Sequence, residues 1–170
     1  MLDANLIFDG TLNYGAAGGA GLPTGVAITS TATSTNVIDL LVSRDLGADD
    51  VLELHVDPLA AFTTSNGATL TIQFQTSQST NSGFVTLLTS PTYAATDLII
   101  GAPIFRYEVP LNQALNDSNG ILQPPGRYLR LNYVVGAGAF TAGTVFSYLN
   151  ARQDRQQYYS YPSNYTTPTS

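Results

Sequence analysis

Cysteine is absent from the 170 residues, which removes disulfides, thiolate nucleophiles and cysteine-held zinc in any redox compartment. Lysine is absent as well, so all six basic residues are arginines, and tryptophan does not occur. Charged residues make up 11% of the chain, against about 25% in an average soluble domain. With a net charge of −6, six scattered arginines form no basic stripe, and the phosphate contacts that hold nucleic acid are excluded. No apolar run approaches the ~20 residues of a membrane helix. Met1, Leu2 and Asp3 bring an acid where a secretory leader carries basic residues. The expectation is a protein made in the cytoplasm that stays soluble and engages neither membrane nor nucleic acid.

What replaces charge is Thr, Ser, Asn and Gln, a weakly charged coat that suits an assembled component better than a protein dispersed alone. A chain of this length buries roughly 70% of its unfolded surface in one domain without metals or disulfides. Its clearest stretch is Gly126 to Gly136, bounded by Pro124-Pro125 and by Gly136-Ala137-Gly138. Alternation there puts Leu129, Leu131, Tyr133 and Val135 on one face and Tyr128, Arg130, Asn132 and Val134 on the other. The first face is core. The second is too polar for a core and too structured for bare solvent, so a partner is expected on it.

Further strands are expected at Gly25 to Ser30, Asn36 to Leu41, Val51 to Val56 and Thr69 to Thr76, the last after an Asn66-Gly67 turn. Asp57-Pro58 should stop the third of these, because proline cannot donate to a ladder. Phe84 to Thr89, Asp97 to Ile100, Ile104 to Val109 and Gly143 to Asn150 complete the series, and no window has helical periodicity. Short strands about ten residues apart, with turn chemistry between them, predict an all-β fold: a jelly-roll-like antiparallel β-sandwich with extended N- and C-terminal arms. Residues 1–22 read as an N-terminal arm with a Gly-rich connector, within which Leu2 to Phe8 is an arm or a short strand, 23–150 as the sandwich and 151–170 as a Tyr-rich tail. The tail contains no aliphatic side chain larger than Ala. Its Tyr158, Tyr159, Tyr161 and Tyr165 are candidate partner-binding residues, since tyrosine offers large contact area at low entropy cost. Arg130 and Asn132 are candidates on the sandwich itself.

Chemistry-bearing constellations are scarce. His55 is the single histidine and is expected to be a surface residue on a strand, beside Glu53 and near Asp57. Asp49, Asp50, Glu53 and Asp57 read as a solvated turn in preference to a calcium site, and Asn116 to Gly120 lacks the ligand spacing of a calcium loop. The Asn116 and Asn164 sequons carry no weight without a secretory route. There is no nucleophile elbow, P-loop or H-E-x-x-H motif. The expectation is no enzyme, with no catalytic residue, cofactor or metal.

Four segments, taken together, resemble a known family. They are Ser34 to Leu40, Arg44 to Ala48, Gly67 to Ile72, and Gly126 to Gly136 with Gly138 to Gly143. In order and spacing they are similar to the jelly-roll capsid cement (decoration) proteins of short-tailed bacteriophages, typified by the Bordetella phage cement protein. The resemblance covers residues 34 to 143, whereas the Gly-rich connector and the tail depart from the shorter family pattern. It implies a structural virion protein on the capsid exterior that clamps neighbouring major capsid subunits, as a homo-oligomer, dimer or trimer. The alternative from another class is a carbohydrate-binding β-sandwich module for host-surface adhesion.

Overall fold

Leu129, Leu131 and Tyr133 are buried while Tyr128, Arg130 and Asn132 between them are partly exposed, as the period-two pattern of this stretch requires. The computed structural model describes residues 4–12, 23–41, 52–109, 115–116, 122–123 and 126–151. In chain order the strands are β1 (Ile7–Asp9), β2 (Thr11–Leu12), β3 (Pro23–Thr24), β4 (Val26–Ala27), β5 (Ala32–Thr33) and β6 (Ile38–Asp39). The long strands β7 (Leu52–Thr64) and β8 (Thr69–Ser77) follow, then β9 (Val85–Thr89), β10 (Tyr93–Ala94) and β11 (Phe105–Glu108). The last four are β12 (Leu115–Asn116), β13 (Leu122–Gln123), β14 (Tyr128–Gly136) and β15 (Phe140–Ala151). Two 3-10 turns, Ala4–Leu6 and Ala95–Asp97, are the helical elements among the described residues.

All pairings are antiparallel, and two sheets form a β-sandwich. In the first sheet β15 lies between β7 and the short pair β1 and β4, and β11 closes the far edge of β7. In the second, β8 and β14 are central, flanked by β9 and β10 on one side and β5 and β6 on the other. The turns after β7 and after β14 cross from one sheet to the other, so Asn66-Gly67 is an inter-sheet corner and not the tip of a hairpin. Leu54, Val56, Phe62, Val145 and Leu149 from the first sheet meet Leu70, Ile72, Phe74, Leu129 and Leu131 from the second in one core. Each such side chain contributes about 1.5–3 kcal/mol by leaving water.

The structure corrects several expectations. Of the two readings of Leu2 to Phe8, arm or short strand, residues 7–9 take the second and pair with β15 as part of the sandwich, with Phe8 0% exposed and edge-on to Phe74 at 6.1 Å. A register shift between Ile7 and Asp9 adds one residue, and this bulge lets Phe8 and Asp9 both enter the interior. Pro58 does not end its strand, which continues to Thr64. Its carbonyl, on the same side as its donor-less nitrogen, accepts from Gly101, beyond the point where β11 has stopped at Phe105. Asp97 to Ile100 is no strand: the 3-10 turn ends at Asp97, and Ile99 and Ile100 are exposed.

Candidate interaction surface

The β8–β14 register sets Arg130 opposite Gln75 and Asn132 opposite Gln73, and alternation puts all four on the face away from the core. Arg130 Nε donates to Gln75 Oε1 at 2.8 Å, and Asn132 Nδ2 donates to Gln73 Oε1 at 2.8 Å. Gln75 Nε2 donates to Thr86 Oγ1 at 3.1 Å, which extends the network onto β9. The Arg130 guanidinium lies over the Phe84 ring, with Cζ 3.7 Å from the centroid. Partial burial lowers the Arg130 pKa from the ordinary arginine value, since desolvation disfavours the cation. At the margin, Arg127 donates from Nε and Nη2 to the Asp39 carboxylate at 2.6 and 2.7 Å and sits 5.0 Å over the Tyr128 ring. That bidentate bond holds the Asp39 carboxyl below the usual carboxylate range.

Arg130 and Asn132, selected from alternation alone, are therefore brought together on one organised patch. Gln73, Gln75 and Phe84 were missed. The two glutamines occupy outward positions of the cleanly alternating Thr69 to Thr76 stretch, but only the strand register says that they face Arg130 and Asn132. Tyr158, Tyr159, Tyr161 and Tyr165 lie outside the described residues.

His55 is not a surface residue: it is 2% exposed, stacked on Tyr148 at 4.9 Å, with Nε2 3.2 Å from Glu53 Oε2. Its strand is central in its sheet, and the ring of its cross-strand partner Tyr148 leans over it. Of the acidic cluster, Glu53 is buried against this histidine, while Asp49 and Asp50 lie outside the described residues. Burial raises the Asp57 pKa, against the opposing charge of Arg106 and a hydrogen bond with Tyr148. Among the described residues no group of three His, Cys, Asp or Glu side chains is placed to hold a metal.

One buried polar cluster joins the two sheets. The Tyr133 hydroxyl and Ser147 Oγ donate to Asp9 Oδ2 at 2.6 and 3.0 Å, and the Thr35 amide donates to Asp9 Oδ1 at 2.7 Å. Burial first, then the charge of Asp9, pushes the Tyr133 phenol pKa well above its usual value. A strand, a loop and both sheets converge on one carboxylate, which describes a structural tie. On the outside, Leu41, Ile99, Ile100 and Tyr107 expose large apolar surface.

The model of the family described as Bbp16 matches residues 22–149. The chain belongs to the Bbp16 family. A comparison with curated proteins finds no match. Bbp16 is a phage-derived family, so this is a phage structural protein. The Bbp16 match takes in strands β3 through most of β15, with Arg130 and Asn132 inside it and the Tyr-rich tail beyond it. No helix among the described residues is long and apolar enough to cross a membrane.

Proposed function

We propose that this Bbp16-family chain is a capsid cement protein, which binds the outside of the phage head and clamps neighbouring major capsid subunits without catalysing a reaction. The observation that carries this reading is the Bbp16 match across residues 22–149, which contains all four segments that resemble phage cement proteins. The physical character of the chain supports it: a rigid β core, few charges, exposed Ile99, Ile100, Leu41 and Tyr107, and a tail whose tyrosines suit interface contact. A sandwich patch and a tail that reach different subunits make the second attachment intramolecular, so that modest contacts add to a firm clamp. On the head the protein acts as a dimer or trimer. The carbohydrate-binding alternative is weaker on the β8–β14 face, because sugars need open aromatic platforms and Phe84 and Tyr128 there each carry a guanidinium.

The test is co-sedimentation of the purified protein with heads assembled without it. Saturable binding is expected, and it should weaken markedly when residues 152–170 are removed. Protein that remains in the supernatant at every concentration would contradict the reading.

A further inference from the structure

Three arginines lie among the described residues, and two have their charge answered. Arg127 is paired with Asp39, and Arg106 lies near enough to Asp57 to favour that carboxylate. Arg130 has no carboxylate partner among the described residues. It is nevertheless held still, with Nε committed to Gln75 Oε1 and the guanidinium plane resting on Phe84. What remains uncommitted is the Nη1–Nη2 edge, whose parallel N–H groups match the two oxygens of a carboxylate.

The neighbouring amides add donors to this edge. Gln73 Oε1 already accepts from Asn132 at 2.8 Å and from Gln75 at 3.4 Å, so the Gln73 NH2 is the group it offers to a partner. A partly desolvated cation without a counter-charge costs stability, and a docking carboxylate would remove that cost. With twelve acids against six arginines the chain otherwise repels anions, which makes the patch a local exception. The covered rings of Phe84 and Tyr128 offer a sugar no stacking platform, which favours a protein side chain over an acidic glycan.

We infer that the outer face of β8 and β14 is a docking surface for an Asp or Glu side chain of the capsid subunit. In it Arg130 is the bidentate donor and Gln75 its positioning residue. The inference rests on the cement-protein reading and names the chemistry of one of its contacts. Held this way, the guanidinium meets the carboxylate with little rotamer freedom left to lose.

The experiment is a binding titration of the full-length chain on heads assembled without it, for wild type, Arg130→Ala, Arg130→Lys and Ser65→Ala, with the melting temperature of each. Arg130→Ala should bind about 30-fold more weakly, and Arg130→Lys, which keeps the charge but loses the fork, about tenfold more weakly. Ser65→Ala, exposed in the turn between the two sheets and away from the donor patch, should bind as wild type does. Added salt should weaken wild type more than Arg130→Ala. If Arg130→Ala melts early, the Arg130→Lys result decides. Wild-type affinity in both Arg130 variants overturns the inference and leaves the cement reading standing, whereas wild type that binds no heads overturns both. Arg130-dependent binding to an acidic glycan array, with head binding unchanged in the variants, would assign the face to a sugar and overturn the protein partner.

Discussion

Tyr133 shows how one side chain serves two purposes. Its ring fills the core and its hydroxyl satisfies a carboxylate that has left water, so Tyr133→Phe keeps the packing and removes only the hydrogen bond. The variant should lose about 1–3 kcal/mol in urea denaturation, because Asp9 stays buried with a donor missing. Since the folded-state phenol pKa is raised, the unfolded chain releases this proton first. The contribution is complete below the ordinary phenol value near pH 10 and is lost as pH rises towards the raised folded value. Wild type should therefore lose stability more steeply above pH 10 than Tyr133→Phe, as read from denaturation midpoints at stepped pH. Ile72 and Gln73 make the complementary comparison across the two faces of β8. Ile72→Ala, at a fully buried position, should cost about 2–5 kcal/mol, while Gln73→Ala, which loses accepted hydrogen bonds on a partly exposed face, should cost about 1 kcal/mol. Equal costs would mean that the outer face is itself buried in the isolated protein.

Among the elements, β8 and β14 were legible because each alternates without a fault between breakers, and period two is a property of a single strand. Strand β1 was not. Three residues hold no period, and Phe8 and Asp9 share the interior only because a bulge in the pairing with β15 sets them there. The continuation of β7 through Pro58 was hidden for a related reason: a proline is harmless where the neighbouring strand has ended, and that depends on pairing. Arg130 and Asn132 emerged from their own strand, whereas Gln73, Gln75 and Phe84 belong to other elements and join the patch only through register. The burial of His55 likewise follows from its cross-strand partner Tyr148. The pairing of β1 with β15 bears on what a truncation should do. A chain beginning at Pro23 loses Phe8 and the Asp9 tie, so it should melt far below the full chain, and Phe8→Ala alone should cost about 3–5 kcal/mol. A Pro23 start with unchanged melting temperature and circular dichroism would show that β1 is dispensable.

At the scale of the whole molecule, the two sheets present a rigid outer face while the chain beyond β15 carries tyrosines suited to a second contact. The weak charge of the surface makes such a protein a poor solitary particle and a good component of a larger shell. The proposed clamp across subunit boundaries would raise the mechanical limit of that shell, which binding by itself does not establish. The decisive measurement is the temperature at which DNA-filled heads release their DNA, compared for heads lacking this protein, the same heads after it is added back to saturation, and complete heads. The account predicts early release from the bare heads and a return to the complete-head temperature on addition. Release at one common temperature in all three, with the added protein fully bound, would contradict it.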